Sequence, residues 1–335
     1  MRSERYTFLP DLDLRVAGDR VVLRHFRAEY GAGATPENGS APGVEVRFGR
    51  RQGDQRRASE GGHKSVRWRI SLASPEASPL SADIELRGAP RSFGLSLIQG
   101  YFVEPLLSVA AARSGYVLLP AAAIERSGDA LVLLGASGTG KSSLSARALA
   151  AGRGILGDDQ ILLDAAGRCF RFHRRMRFYS DLRLTAPAAW ARLPVRARAG
   201  LQARRALRTL SRGFVAPSLA LGANEIGDPG ASGPLRARRF VLLERSGQGS
   251  ELRREPVDID TMIARALALL DAQRDRFAAG AGGPWRAALA AVAASERRTL
   301  EAVFANAPLE RVIVPGSWTA PHAIGALAAE LQTES

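Results

Sequence analysis

Cysteine and long apolar runs are both scarce in this chain of 335 residues. The single cysteine, Cys169, has no partner within the chain, so neither a disulfide framework nor an oxidising compartment is implied. No apolar run approaches the roughly 18 residues of a membrane-spanning helix, and the best stretch, Tyr116 to Ile124, contains Pro120. The first residues, MRSERYTFLPDLDL, lack the apolar segment of a secretory signal. We therefore expect a cytoplasmic protein without a membrane span.

Lysine is rare as well, although the chain is strongly basic. Among 47 basic residues only Lys64 and Lys141 are lysines, and 33 acidic residues leave a formal charge of +14. Ala, Gly and Pro are also abundant. A general bias in composition would raise all four residue types, and it accounts for arginines scattered over the surface without selection for a partner. Attraction to an acidic partner is the alternative interpretation. No homeodomain, zinc-finger, KH or RRM signature accompanies the charge, so a nucleic-acid partner is not expected.

The sequence pattern divides the chain into a β-rich region over residues 1–94 and a second region over residues 95–335. In the first region, turn-rich stretches separate strands predicted at Arg20–Phe26, Val44–Phe48, Ser65–Ile70 and Ala82–Arg87. This region contains no catalytic motif. Its histidines, His25 and His63, lack the spacing of metal ligands and are interpreted as structural or solvated.

Helices and short buried strands alternate in the second region, which predicts an α/β domain. The stretch 214–233 is expected to be a mobile insert, because it is rich in Gly, Pro, Ser and Asn. Helices are predicted at Leu95–Arg113, from Lys141 for about ten residues, and at Asp258–Ala279, Pro284–Ala305 and Ala320–Leu331. Strands are predicted at Tyr116–Leu119, Ala121–Ile124, Ala130–Leu134, Gly154–Gly157, Gln160–Leu163, Arg239–Glu244 and Arg311–Val314.

A phosphate-binding motif follows the apolar strand at Ala130–Leu134. Its pattern is G-x-x-x-x-G-K-S/T, and it opens the helix that begins at Lys141. Glycines allow backbone N–H groups to approach phosphate oxygens, Lys141 supplies a positive charge, and Ser142 supplies a hydroxyl for Mg²⁺. We predict that ATP is bound by Gly135, Ala136, Ser137, Gly138, Thr139, Gly140, Lys141, Ser142 and Ser143.

Two adjacent aspartates, Asp158 and Asp159, end the strand that follows this helix. In a parallel sheet, the carboxyl end of that strand lies at the same edge as the phosphate-binding loop. An acid there can reach Mg²⁺ or an attacking hydroxyl, and two neighbours can divide these roles. The alternative without a functional role is a β-turn, because aspartates are common in turns.

The segment G-A-S-G-T-G-K-S, a helix and then G-D-D-Q-I resemble the C-terminal catalytic domain of HPr kinase/phosphorylase and the broader group of related kinases. The resemblance covers roughly residues 95–175 and implies an α/β P-loop kinase domain, HPr kinase/PEP carboxykinase-like, behind the β-rich region. It implies phosphorylation of a serine hydroxyl with Mg·ATP as the phosphoryl donor. Asp158 would be the general base, Lys141 a catalytic phosphate contact, and Ser142 and Asp159 the metal ligands.

Three departures from the family pattern bear on activity. Pro120 stands where the group often has a histidine, and Ser143 stands where glutamate is common. The E-x-R-G segment that follows the aspartates in bifunctional relatives occurs only as Glu85–Gly88, before the loop. Phosphorylase activity is therefore not expected, and HPr itself becomes a weaker candidate substrate.

The partner expected is a peptide or protein phosphoacceptor, and whether the chain forms a homo-oligomer stays open. Arginines at positions 171–177 favour an acidic acceptor if they face the site, although a solvated face is the simpler interpretation. Two other functions remain open. One is a P-loop ATPase or nucleotide-gated regulator without a phosphoacceptor, and the other is a phosphoenolpyruvate carboxykinase-like enzyme.

Overall fold

A computed structural model gives a mixed α/β protein whose contacts divide it into two compact units. Unit 1 comprises Met1–Leu118 and Leu267–Leu300, and unit 2 comprises Leu119–Ala266 and Glu301–Ser335. The predicted insert at 214–233 lies partly outside the described residues. The structure describes residues 1–35, 43–49, 58–211, 218–230, 233–247 and 249–332.

A mixed sheet organises unit 1, in the strand order β3-β1-β2-β4-β7-β6-β5. The β1–β2 hairpin is antiparallel, β2, β4 and β7 run parallel, and β6 and β5 complete an antiparallel edge. The predicted strands at Val44–Phe48, Ser65–Ile70 and Ala82–Arg87 are confirmed within a residue or two. The strands are β1 (Arg2–Leu9), β2 (Leu12–Gly18), β3 (Ala34–Thr35), β4 (Val44–Phe48), β5 (Ala58–His63), β6 (Val66–Leu72) and β7 (Leu80–Gly88).

The strand predicted at Arg20–Phe26 is wrong, because this segment forms helix α1 (Arg20–Tyr30). Asp19 caps the helix by accepting hydrogen bonds from the Val21 and Val22 amides. Val22, Phe26 and Tyr30 recur every four residues and are fully buried, which is the period of a helix face rather than of a strand. The helical cap and the four-residue period therefore override the β propensity of two adjacent valines.

The helical stretch Arg91–Arg113 belongs to unit 1, because it packs against β2, β4 and β7. The contacts thus divide the chain near residue 118, and residues 267–300 return to unit 1. The stretch consists of α2 (Arg91–Ile98), a π-helical turn (Gln99–Val103) and α3 (Glu104–Arg113). By length and composition it could cross a membrane, but 78% of its apolar window is buried, as in a core helix.

The predicted phosphate-binding motif follows an inner strand of the sheet of unit 2. Strand β10 (Asp129–Leu134) pairs with the parallel strand β16 (Leu235–Ser246) on one side and the antiparallel strand β9 (Ala121–Arg126) on the other. Beyond β9 lies β11 (Ile155–Gly157), and beyond β16 lies β18 (Leu309–Pro315). Strand β9 thus separates β10 from β11, so the crossover through helix α4 (Lys141–Ala150) skips one position in the sheet.

Strands β10, β11, β16 and β18 run in one direction, because β9 is antiparallel to both β10 and β11. We call the side of the sheet on which these four strands end the carboxyl edge. The remaining strands are β8 (Tyr116–Leu119), β12 (Ile161–Asp164), β13 (Arg168–Phe170), β14 (Met176–Phe178), β15 (Leu219–Leu221) and β17 (Arg253–Pro256). The remaining helices are α5 (Leu182–Thr185), α6 (Pro187–Arg192), α7 (Val195–Leu210), α8 (Ile259–Ala281), α9 (Gly283–Phe304) and α10 (Ala320–Gln332).

Replacing the cap of α1 should measurably destabilise unit 1. We expect Asp19→Ala to lower the free energy of unfolding by about 1 kcal/mol, because two amides lose their acceptor. Asp19→Asn keeps a side-chain oxygen at the cap and should recover most of the loss. Urea denaturation of both variants checks this, and equal stabilities would contradict the capping role.

Candidate functional site

The segment Gly135–Ser142, here called the glycine loop, connects β10 to α4 at the carboxyl edge. Gly135, Gly138 and Gly140 have φ values of 149°, 86° and 107°, a region that L side chains rarely adopt. A Cβ atom on Gly135 would lie 2.6 Å from the carbonyl oxygen of Leu243, and one on Gly140 would collide with the Ile324 side chain. Glycine at 135 and 140 is therefore required by both backbone conformation and space.

The start of α4 presents backbone N–H donors. Its N-cap residue is Gly140, which has no side chain to accept a hydrogen bond from them. The first amides of a helix have no acceptor within the helix, and they carry its partial positive charge. Ala136, Ser137 and Gly138 are exposed, so the outer side of the glycine loop is open to solvent. This arrangement suits an anion such as a phosphate group.

Lys141 lies folded over the glycine loop. Its Nζ donates hydrogen bonds to the carbonyl oxygens of Gly135 at 2.5 Å and Ala136 at 3.1 Å. An ammonium group has three N–H donors, so one remains for a ligand. Burial lowers the pKa of Lys141, and the negative charges of Asp159 and Asp158 partly oppose that shift.

Asp158 is the most unusual group at the carboxyl edge. It follows β11, is 6% exposed, and neither of its carboxylate oxygens has a hydrogen bond from the described residues. Burial and the neighbouring charge of Asp159 raise its pKa to about 7. The Ser142 and Ser145 hydroxyls and the Lys141 ammonium favour the ionised form, but too weakly to reverse the shift. The hydroxyls are near, but neither is aligned to donate to the carboxylate.

Asp159 occupies a contrasting environment one residue further along. Its side chain is 37% exposed, and its Oδ2 lies 3.7 Å from Nη1 of Arg174. The two aspartates lie in the bend after β11 rather than inside the strand. One carboxylate is thus buried without a hydrogen bond from the described residues, and the other is partly exposed beside an arginine. The two neighbouring acids therefore differ in their access to solvent.

The oxygen groups at this edge fit Mg²⁺. Ser142 offers a hydroxyl, and the aspartates offer the hard oxygen ligands that Mg²⁺ prefers. Within the described ranges no group of three or more His, Cys, Asp or Glu side chains could hold a metal by itself. Mg²⁺ in nucleotide sites is commonly held by one or two protein groups together with phosphates. The Ser142 hydroxyl and the partly exposed Asp159 carboxylate fit such a shared site.

The other predicted loop residues have local roles. The Ser143 hydroxyl donates to Thr185 Oγ1 at 3.1 Å, which ties α4 to α5. The Thr139 hydroxyl donates to the Ala136 carbonyl at 2.9 Å and tightens the glycine loop. All predicted nucleotide-binding residues therefore lie together, but the Ser143 side chain is engaged with the fold.

The arginines at 171–177 do not form a single patch. Arg171 donates to the carbonyls of Pro229 and Gly230. Arg177 lies on β14, opposite Ala220 of β15. His173 is half-buried, and burial together with Arg171 lowers its pKa. Among the ion pairs found in the described residues, Arg174 provides the link from this segment to Asp159.

Pro120, at which the resemblance to the kinases would predict a histidine, lies beside the glycine loop. Pro120 directly precedes β9, whose first residue Ala121 pairs with Leu134, the residue before Gly135. No imidazole is supplied from this position. The segment Glu85–Gly88 lies in β7 of unit 1, outside the unit that carries the glycine loop.

Sequence reasoning missed two polar groups beside the aspartates. Ser145 is fully buried, and its hydroxyl has no hydrogen bond from the described residues. Gln160 is 2% exposed, and neither its Oε1 nor its Nε2 has a hydrogen bond from the described residues. Ser145 could have been found from its spacing, because it lies three residues after Ser142 and hence on the same helix face.

Comparison of the chain with protein-family models finds no match, and no curated protein matches it either.

The raised pKa of Asp158 predicts a stability gain when its charge is removed. The unfolded state ionises near pH 4 and the folded state only near pH 7, so this group destabilises the fold increasingly as pH rises between these values. We expect Asp158→Asn to raise Tm by a few degrees at pH 8, and the gain to shrink towards pH 4.

Thermal unfolding at both pH values measures this gain. The control is Asp129→Asn, which removes a partly exposed carboxylate at the opposite end of β10. A gain that is equal at pH 4 and pH 8 would show that the carboxylate is not a buried charge.

Proposed function

We propose that this protein is a Mg·ATP-dependent kinase that phosphorylates a serine hydroxyl of a peptide or protein, and that unit 2 is an HPr kinase/PEP carboxykinase-like P-loop domain. One observation carries the proposal: the Asp158 carboxylate is buried without a hydrogen bond from the described residues, and it lies close enough to Lys141 and Ser142 for both to act on its pKa. A turn would pair such a carboxylate with backbone amides or leave it in water. A buried acid with a raised pKa beside charged groups is typical of a functional site.

The glycine loop and Lys141 would bind the phosphates of ATP. The amides at the start of α4 and the Lys141 ammonium oppose the charge of the β- and γ-phosphates. Ser142 and Asp159 would hold Mg²⁺, and Arg174 would keep Asp159 oriented at 3.7 Å. Mg²⁺, when bound, neutralises charge that develops on the phosphates.

Asp158 would accept the proton of the acceptor hydroxyl. The serine oxygen forms a bond to the γ-phosphorus, the bond from that phosphorus to the β–γ bridging oxygen breaks, and the hydroxyl proton passes to a carboxylate oxygen. A pKa of about 7 suits this role, because the ionised base is present at neutral pH and still binds a proton. Positioning and charge neutralisation contribute more to phosphoryl transfer than the base does.

The expected acceptor is acidic, because Arg174 and the basic chain attract negative charge. The second candidate function is an ATPase or nucleotide-gated regulator that phosphorylates no substrate. Pro120 favours this alternative, because it places no imidazole at the carboxyl edge beside the glycine loop. Phosphate release from ATP alone, at a steady rate and without any acceptor, would favour the ATPase.

Separate substitutions of the aspartates test their assigned roles. We expect Asp158→Asn to bind Mg·ATP normally and to lose phosphoryl transfer by at least about 100-fold, because the proton acceptor is gone. Asp159→Asn should retain transfer but require more Mg²⁺. Transfer of radiolabel from ATP to an acidic serine-peptide panel measures the first effect, and Mg²⁺ titration measures the second. Full transfer by Asp158→Asn would refute the assignment of Asp158 as the proton acceptor. A raised Mg²⁺ requirement in that variant would instead make Asp158 the metal ligand and Asp159 the proton acceptor.

The presence of only two lysines allows a direct test of nucleotide contact. An acyl-phosphate derivative of ATP acylates an amine that lies against its phosphates. We expect it to modify Lys141, whose pKa burial lowers, and excess ATP should suppress the modification. Lys64, in a turn of unit 1, is the internal control. Peptide mass spectrometry reads both sites, and equal labelling that ATP does not affect would exclude this loop as a phosphate site.

A further inference from the structure

We propose that Trp318 and His322 form the platform on which the nucleotide base stacks, an inference that rests on the proposed nucleotide binding at the glycine loop. Trp318 lies in the connection between β18 and α10, and His322 lies in the first turn of α10. Their rings pack with centroids 4.2 Å apart at an interplanar angle of 69°. Neither residue is part of the motif that identifies the phosphate site.

The order of the strands gives the direction in which the nucleotide must lie. Asp158 follows β11, which lies on the β9 side of β10, so the reacting γ-phosphate must point to that side. Strands β16 and β18 lie on the other side of β10. Because the base is at the opposite end of ATP from the γ-phosphate, we place it above the ends of β16 and β18.

Two close contacts bring this second side directly against the glycine loop. The carbonyl oxygen of Leu243, near the end of β16, lies at the position that a Gly135 Cβ would approach. The Ile324 side chain, on α10, occupies the space next to Gly140. Arg245 follows Leu243 by two residues on β16, so the two side chains lie on the same face of the strand. His322 precedes Ile324 by two residues and lies on a different face of α10, so the link between His322 and the loop runs through the first turns of the helix. The aromatic pair thus lies at the carboxyl edge, on the β16 and β18 side of the glycine loop.

The connection that carries Trp318 is fastened to the end of β16. The Gly316 amide donates to the Ser246 carbonyl at 2.5 Å, and the Trp318 amide closes a turn onto Pro315 at 3.2 Å. Arg245 Nη2 donates to the Trp318 carbonyl at 3.1 Å. One part of the indole packs on the core of unit 2, while the His322 side chain is exposed. A ring held in this way loses little conformational entropy when a base binds.

The chemistry of these residues matches a nucleobase. Any base has a flat π-face that stacks on an aromatic ring, and a guanidinium group such as that of Arg245 adds a cation beside it. Partial exposure, restraint by the backbone and a place on the base side of the glycine loop together point to a base.

The experiment compares Mg·ATP with Mg·tripolyphosphate, which has the phosphates but no base. In Trp318→Leu, which keeps apolar packing, we expect ATP affinity to fall about ten-fold while tripolyphosphate affinity stays unchanged. Trp318→Phe restores a π-face and should bind ATP nearly as the unaltered protein does. Trp68→Leu, in β6 of unit 1, is the matched control and should change neither affinity. Calorimetric titration measures all of them.

The outcomes separate this inference from the proposed function. Unchanged ATP affinity in Trp318→Leu, or an equal loss for ATP and tripolyphosphate, would overturn the platform and leave nucleotide binding standing. Failure of the unaltered protein to bind either ligand would refute the phosphate site, and the platform with it. Selective loss of ATP binding, rescued by phenylalanine, would establish the platform.

Discussion

The close packing of the glycine loop between β16 and α10 is the constraint on which the rest of the carboxyl edge depends. The Leu243 carbonyl limits position 135, and the Ile324 side chain limits position 140. These contacts hold the start of α4 in a fixed place, so that Lys141 folds back over the loop and Ser142 faces Asp158. Arg147, further along α4, donates to the Ile324 carbonyl at 3.0 Å and fastens the same pair of helices.

Burial of Asp158 has an energetic cost that no hydrogen bond from the described residues offsets. Transfer of a carboxylate from water is unfavourable unless charge or hydrogen bonds compensate it, and here the larger of the two charge effects, that of Asp159, opposes ionisation. Ser145 and Gln160 add further buried polar atoms without hydrogen bonds from the described residues. A cluster of unsatisfied groups at one point destabilises the protein, which is expected where a ligand supplies the missing partners.

Local sequence patterns predicted many helices and strands of unit 2, whereas contacts between residues distant in sequence determine their arrangement. The apolar run before Gly135 and the glycine-rich motif predicted β10, the loop and α4, because their periodicity and backbone requirements are local. The insertion of β9 between β10 and β11 was not predictable, because strand order depends on contacts distant in sequence. The contrast between Asp158 and Asp159 was expected, but its source is burial after the strand rather than alternation within it.

In unit 1 the errors came from ambiguous short segments. The alternating and β-branched residues of RVVLRHF suit a strand as well as a helix, and Asp19 was the overlooked signal that decides for α1. The hairpin of β1 and β2 was missed because its strands carry charged residues between apolar ones and are joined by only two residues, Pro10 and Asp11.

The path of the chain gives the site an order of assembly. Residues 267–300 belong to unit 1, yet the segment after them returns to unit 2 with β18 and α10. The glycine loop is thus synthesised more than 180 residues before Ile324, the side chain that packs against it. During synthesis the glycine loop therefore lacks this packing contact until α10 has been made. The contacts that fix positions 135 and 140 are completed late in the order of the chain.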